Sequence, residues 1–313
     1  MQSTLRPDGS GDGPEPPEDP RVTVVVASRD RRDDLLRTLG RHRARVILVD
    51  NGSTDGTVEA VRRAFPHVEV VELGRNLAAA GRSIGVRRAT TPFVAFADDD
   101  SWWSPGSLAA AADALASAPA AGLVAVDVLV GAAERRDPFC DVLAASPLEG
   151  GGELLPGPRV LGFMACAAMV RRDAFLRAGG FDDVVRFPGE EERLAWDLTA
   201  QGAPPAYVAG PVVHHHPSPR RHDAAARRRA VARSRVLTGL LRLPRRDALV
   251  RVRQALVEDA ATRRGALDAV RDLPGALRQR RVLPRHVLAD IAQLDGSAPG
   301  AGDRPARGVA GSR

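Results

Sequence analysis

The chain has no apolar run of the ~18 uncharged residues that a bilayer-spanning helix needs; its longest candidate, 120–133, is interrupted by Asp127. A signal-peptide pattern is missing too. Residues 1–20 are rich in proline and glycine, lack a basic start and an apolar core, and read as a disordered leader. Cysteine is scarce: Cys140 and Cys166 give neither a metal spacing nor a disulfide framework, and Cys166, in an apolar run, reads as a small core residue. No glycine stands in Ala27-Ser28-Arg29-Asp30-Arg31 after the first apolar run, and no G-x-G-x-x-G follows any strand, which excludes a dinucleotide-dependent dehydrogenase. Residues 218–313 contain no Phe, Trp or Tyr to stack on bases, which argues against a nucleic-acid partner. These absences leave a cytoplasmic chain of 313 residues, long enough for one large domain with appendages.

What is present is alternation. Val22–Ala27, Val46–Val49, Val68–Glu72 and Phe93–Ala97 are short, mostly apolar runs that suit strands. Between them lie an amphipathic stretch with Leu35, Leu36 and Leu39 on one face, a helix over Val58–Ala64 that Ser53 or Thr54 can cap, and a helix from Asn76 to about Arg88. Short connections between alternating strands and helices predict a mostly parallel α/β sheet flanked by helices. Three of the strands run into acidic or polar residues, at Ser28–Asp30, Asp50–Asn51 and Asp98–Asp100. Ligand sites in such sheets lie outside the carboxyl ends of the strands.

The Asp98-Asp99-Asp100 triplet, followed by Trp102 and Trp103, is the most informative of these ends. Three adjacent carboxylates repel one another, and a divalent cation relieves them. In extended backbone Asp98 and Asp100 project to one side, where they would share one Mg²⁺ or Mn²⁺ and its phosphate ligand. The tryptophans would stack on sugar faces or simply pack.

The second half supplies two further clusters. Arg159–Val170 reads as a buried strand or core helix, and a helix over Gly189–Gln201 ends at Gly202. Its first turn holds Glu190, Glu191 and Glu192. Glu191 shares a face with Leu194, Ala195 and Leu198, so it is expected to point inward, with Glu192 and Arg193 toward solvent. A partly desolvated carboxylate in a cleft is a suitable general base. Two short extended segments follow, Tyr207–Ala209 and Val212–His216. The second ends in His214-His215-His216, each a candidate metal ligand, with His214 and His216 on the face opposite His215.

Taken in order, these residues resemble the inverting family 2 glycosyltransferases with the GT-A nucleotide-sugar-binding fold. The resemblance covers roughly 21–217 and rests on Ala27–Arg31, Asp50-Asn51-Gly52-Ser53-Thr54-Asp55, Asn76-Leu77-Ala78, Gly81-Arg82-Ser83-Ile84-Gly85, Asp98–Asp100, Gly179-Gly180-Phe181-Asp182 and Gly189-Glu190-Glu191. It departs from the family at Arg29, where an aromatic is usual, at Ser83 for Asn, and at Glu191 for Asp. The resemblance implies a metal-dependent inverting transfer of sugar from a nucleotide-sugar donor to a hydroxyl acceptor. The acceptor would be a glycan, a lipid-linked molecule or a small molecule of cell-envelope, glycolipid or natural-product glycan synthesis. Ser28, Asp30, Asp50, Asn51, Arg82, Asp98 and Asp99 would bind the donor, and Asp182 and Glu190 would lie on the acceptor side. Glu191 would be the base, and Asp98, Asp100 and His215 the metal ligands; the Val-x-His-x-Pro context selects His215. A sugar-nucleotide nucleotidyltransferase is an alternative, although it wants the glycine-rich loop that Ala27–Arg31 lacks. A catalytically inactive scaffold of the same fold is another, opposed by the intact Asp100 and Glu191.

Charge divides the chain. Residues 218–313 hold 22 arginines and 9 acids, +13, so the first 217 residues carry −7 of the +6 total. The expected organisation is a leader (1–20), a catalytic domain (21–217, its nucleotide half 21–104 and acceptor half 105–217), a basic helical appendage (218–296) with breaks at Pro244, Pro274 and Pro284, and a flexible tail (297–313). The appendage reads as solvated helix faces or as a peripheral contact with anionic membrane at the inner face of the cell membrane.

Overall fold

A computed structural model describes residues 17–148, 154–217 and 223–297. The leader up to residue 16, the tail beyond 297 and part of the 138–158 stretch lie outside the described residues.

The first half runs β1 (Val22–Ser28), α1 (Arg32–Thr38), β2 (Arg45–Asp50), α2 (Thr57–Ala64), β3 (Glu69–Glu72), α3 (Ala80–Arg88) and β4 (Phe93–Ala97). Strand β1 is VTVVVAS, and β1, β2 and β4 are nearly all buried, as β-branched and apolar runs covered on both faces should be. They pair in parallel in the order β3-β2-β1-β4. Helix α3 lies hard against this sheet: a Cβ on Gly85 would stand 2.4 Å from Val25 Cγ1. Gly56, rather than Ser53 or Thr54, precedes α2, and the Asp55 carboxylate accepts from Thr57 N at 3.1 Å.

The chain continues through β5 (Ser101–Trp103), α4 (Ser107–Ser117), β6 (Leu123–Val130), β7 (Arg135–Arg136), α5 (Pro138–Ala144), β8 (Ala168–Arg171), α6 (Arg172–Arg177), α7 (Glu190–Ala200) and β9 (Pro205–His215). Here the sheet becomes mixed, because β8 runs antiparallel between β4 and β6 while β6 and β9 are parallel. Strand order is β3-β2-β1-β4-β8-β6-β9-β5, with β7 on β6. Strand β5 follows β4 almost directly in sequence yet ends the path four strands further on. The sheet therefore curls back on itself, bringing the end of β9 to the turn between β4 and β5.

Three local expectations change. Residues 159–170 are neither one strand nor one helix. Arg159 makes an isolated bridge to Ala206, 165–167 form a 3-10 turn, and strand pairing begins at Ala168. Gly162, Ala165 and Ala167 offer a pleated surface too little side chain to hold. The two segments expected at 207–216 are one strand with a register shift opposite Val126/Asp127, where Gly210 has φ +112°. The stretch after 138 opens with α5, whose N-cap Asp137 accepts from Phe139 N at 2.8 Å and whose first residue is Pro138.

Helices α8 (Ala224–Arg242), α9 (Arg245–Val257), α10 (Ala260–Asp268), α11 (Leu273–Arg278) and α12 (Arg285–Ser297) complete the described chain. Pro244 caps α9, whereas Pro274 sits inside the first turn of α11, where its missing N–H costs nothing. These helices do not stand apart. Val184 and Val185 share one apolar cluster with Val236, Leu237 and Leu241, and Leu148, Leu161 and Trp196 share another with Leu243, Leu283 and Val287. The charge asymmetry suggested an appendage; the packing makes these helices a layer behind α7.

Candidate active site

Parallel register gathers the strand ends. Ser28 of β1 stands opposite Asp50 of β2, and Ser28 Oγ donates to Asp99 Oδ2 at 2.8 Å. Asp50 is 3% exposed; one carboxylate oxygen accepts from Gly52 N at 3.1 Å and Ser53 N at 3.0 Å, while Oδ1 is buried with no partner among the described residues. Asn51 and Asp30 build the loops around it. Asn51 Oδ1 accepts from Leu77 N at 3.1 Å and Nδ2 donates to Ala78 O at 3.3 Å. Asp30, at φ +53°, donates its N–H to Ser53 Oγ at 2.9 Å and accepts from Thr54 N at 2.7 Å. The free acceptor at this edge is thus Asp50 Oδ1.

The acidic triplet diverges rather than converging. Ser101 N donates to Asp98 O at 3.3 Å, and Asp98 N donates to Ser101 Oγ at 2.8 Å, so the segment is a tight turn and the two-residue alternation expected of extended backbone does not apply. Asp98 pairs with Arg82, Asp99 with Ser28, and Asp100 Oδ1 lies 3.4 Å from His215 Nε2. The expectation that Asp98 and Asp100 share one ion rested on extended backbone; here the two carboxylates have different protein partners. Burial, then the charges of Asp98 and Asp100, push the Asp99 carboxyl up to about 7. Pairing of β5 with β9 supplies His215, since Ser101 stands opposite His215 and His216 N donates to Asp100 O at 2.8 Å. His214 and His216 face the other way, against Trp102 at 5.1 and 4.7 Å between ring centroids. Trp103 is buried and donates Nε1–H to Phe96 O at 3.0 Å. Both tryptophans therefore pack.

Across the cleft, α7 presents its first turn. Glu190 is 0% exposed, with Oε1 3.5 Å from Arg82 Nη1 and Oε2 buried without a partner among the described residues. Burial, reinforced by the charge of Glu191, pushes the Glu190 carboxyl well above the usual range. Glu191 is half-buried, and burial raises its carboxyl as well, against the pull of Arg82. Burial also works against the charge of Arg82, but Asp98 and Glu190 outweigh it and keep the guanidinium cationic. One buried arginine of α3 therefore joins the strand ends to the first turn of α7.

The outer side of α7 departs from expectation. Arg193 is 2% exposed, donating to Asp197 Oδ2 at 2.6 Å and to Gly180 O, with Asp182 Oδ2 3.2 Å from its Nε. Glu192 lies 3.2 Å from Arg251. Arg193 is turned away from water and Glu192 is only partly exposed, its carboxylate covered by Arg251 of the helical layer. Asp182 also accepts from Val184 N and Val185 N, both at 2.8 Å. Ser83 Oγ accepts from Phe181 N and donates to Phe181 O, each at 2.8 Å, so the residue in place of the family's Asn ties α3 to the Gly-Gly-Phe-Asp turn.

Among the described residues no group of three or more His, Cys, Asp or Glu is disposed to hold a metal ion. Asp100 and His215 do fit a divalent cation as two protein ligands: one carboxylate oxygen and one imidazole nitrogen meet at the cleft, 16% and 24% exposed. Two such ligands are a common protein share for an ion completed by phosphate oxygens and water. Asp98 does not join them while it is bonded to Arg82. The Arg82–Glu190 and Arg193–Asp182 links had no local signal in the sequence, whereas Arg193 and Asp197 carry one in their i,i+4 spacing.

Residues 23–178 match the model of the family described as Glycosyl transferase family 2. N-acetylglucosaminyl-diphospho-decaprenol L-rhamnosyltransferase of Mycobacterium tuberculosis is 29% identical over 241 residues, 63% of this chain and 75% of that protein. Pre-mycofactocin glycosyltransferase of the same organism is 31% identical over 230 residues, 69% of this chain and 47% of that protein. The mannosyltransferase PcManGT of Pyrobaculum calidifontis, solved with GDP-Man and Mn²⁺, superimposes with a TM-score of 0.54 at 23% identity, over 92% of this chain and 84% of that one.

Proposed function

The chain belongs to glycosyl transferase family 2, has the GT-A fold and is an enzyme that transfers sugar; from that premise we propose an inverting, divalent-cation-dependent transfer from a nucleotide-sugar to a hydroxyl of a lipid-linked acceptor. The observation that carries the reading is the opposition of two sets of carboxylates across Arg82: Asp98 at the strand ends, Glu190 and Glu191 on α7. Asp50 Oδ1 accepts a hydrogen bond from the nucleoside, because it is a buried acceptor without one. Asp100 and His215 hold the cation, which neutralises the diphosphate as it leaves. Asp98 and Arg82 border the sugar. Glu191, half-buried with a raised pKa, takes the proton of the attacking hydroxyl from the opposite face; one displacement needs one base. Glu190 is too buried to touch an acceptor and acts behind Glu191.

The lipid-linked acceptor rests on the name of the rhamnosyltransferase relative. No helix among the described residues is long and apolar enough to cross a membrane. Peripheral contact with an anionic membrane is favoured by exposed Leu267, Val270 and Leu277, interleaved with exposed Arg263, Arg264, Arg271 and Arg278 on α10, α11 and the turn between them.

The reading is tested by thermal shifts with UDP, GDP, dTDP and their sugars, with Mn²⁺ or with chelator. A stabilising nucleotide should require the cation. Asp100→Ala and His215→Ala should each raise the cation concentration needed, whereas His214→Ala should not. Cation-independent binding in the parent, or unchanged dependence in both variants, refutes the site.

A further inference from the structure

The segment between Asp182 and the glutamates of α7 belongs to the acceptor side of the proposed site, yet what holds it comes from beyond the catalytic domain marked by sequence. Val184 and Val185 are 4% and 0% exposed, sunk into the apolar cluster of Val236, Leu237 and Leu241 on α8. Ser234 Oγ donates to Arg186 O at 2.8 Å, and Arg233 Nη2 donates to Val184 O at 3.1 Å. Arg233 is itself held by Asp272 Oδ2 at 2.5 Å. The approach is close enough to constrain sequence: Gly189, at φ +106°, would place a Cβ 3.0 Å from Ser234 Cβ. Two apolar anchors, two backbone carbonyls and one glycine contact thus seat the loop on one stretch of α8.

We propose that α8 is the seat of the acceptor loop, with Arg233 and Ser234 as positioning residues that set the affinity for the acceptor and leave the donor edge untouched. The physical reason is separation. Ser28, Asp50 and Asp98–Asp100 are fixed by sheet register and α3, whereas 183–189 has no strand partner among the described residues and takes its shape from Asp182 and from α8, with Arg186 also 3.5 Å from Asp272. Loosening the seat frees the loop entropy that acceptor binding must then remove. This rests on reading Asp182–Glu191 as the acceptor side.

The test uses the full chain with Ser234→Ala, Arg233→Lys and Arg233→Met, and Arg229→Gln as a control on the same helix whose ion pair reaches Asp268 of α10 without touching the loop. Amide hydrogen exchange reads the seat without any assumption about the reaction. Exchange at 184–189 should accelerate in Ser234→Ala and Arg233→Met and stay parental in Arg229→Gln. Losing one such hydrogen bond should raise the acceptor KM by roughly 2- to 10-fold, with donor KM unchanged and Arg233→Lys closer to the parent than Arg233→Met. Unchanged exchange at 184–189 overturns the seat. Faster exchange with donor and acceptor KM rising together, or with neither moving, overturns its acceptor role. A parent that transfers no sugar while its loop exchange obeys the pattern would instead discard the acceptor reading and keep the seat.

Discussion

Replacing Asp197 with asparagine tests how α7 is held. Asp197 is 0% exposed and accepts from Arg193 Nη1 at 2.6 Å, Arg242 Nε at 2.5 Å and Arg242 Nη2 at 2.9 Å. Asparagine keeps the shape and one acceptor but removes the charge and turns an amide N–H₂ toward a guanidinium. Breaking a buried pair while its partner remains typically costs about 3–5 kcal/mol. Both arginines keep other acceptors: Arg193 has Gly180 O and Asp182, and Arg242 has Leu241 O and Gln279 O. The expected loss is therefore at the low end, about 3 kcal/mol. Urea unfolding followed by tryptophan fluorescence reads it, since the neighbouring Trp196 is buried with Arg251 4.9 Å above its ring. The midpoint should fall with the slope unchanged. Asp197→Leu with Arg242→Met should recover much of the loss, because charge and counter-charge leave together. A loss below about 1 kcal/mol, or a double variant no better than the single one, would refute the reasoning.

Glu191→Gln should keep donor affinity and lose roughly 10²–10⁴-fold in kcat, while Glu190→Gln, replacing a fully buried carboxyl behind the base, should retain more turnover; the reverse order would move the base to Glu190. Glu192→Gln should cost at most ~1 kcal/mol, the worth of a partly exposed ion pair, with kcat near normal. His42 is buried with no partner at either ring nitrogen among the described residues, and burial lowers its pKa from 6.5 to about 4. Its folded pKa lies below its unfolded one, so the unfolded chain binds the extra proton: stability is full above about pH 6.5 and falls toward pH 4, by about 3 kcal/mol in all. His42→Leu should flatten that slope in a urea–pH series, and an unaltered slope would show that another group supplies it. The full chain should co-sediment with anionic vesicles more than with neutral ones, and less as salt rises, each basic residue at the surface contributing about 1 kcal/mol; equal binding to both would leave the exposed arginines as solvated faces.

The parts legible in the sequence were those whose cause is local. Val22–Ser28, Arg45–Asp50 and Phe93–Ala97 are apolar because both faces are covered, and strands of that kind announce their polar ends. The turn at Asp98–Ser101 was less legible, because Ser101 closes it with a hydroxyl that also suits the strand it begins. Arg193 illustrates a second limit. Helical spacing assigns one apolar face and leaves the other to water, but the far side of α7 is covered by helices that begin more than twenty residues later. A buried arginine looks like an exposed one until its acceptors are found: Asp197 on α7 itself, and Gly180 O and Asp182 from the turn before it. The +13 of the C-terminal residues was misleading for the same reason: Arg242, Arg251 and Arg233 spend their charge on Asp197, Glu192 and Asp272.

The curl of the sheet makes the acidic turn a measuring rod. Strands β4 and β5 are joined by three residues yet belong to separate pairings, Ala97 with Val26 on one side and Ser101 with His215 on the other. One residue added or removed between them would advance β5 by one step along β9 and exchange its two faces. Trp102 would leave its histidine neighbours, and His215 would lose its place beside Asp100. The length of this turn is therefore as constrained as its carboxylates, and relatives that work this way should never gain or lose a residue in it.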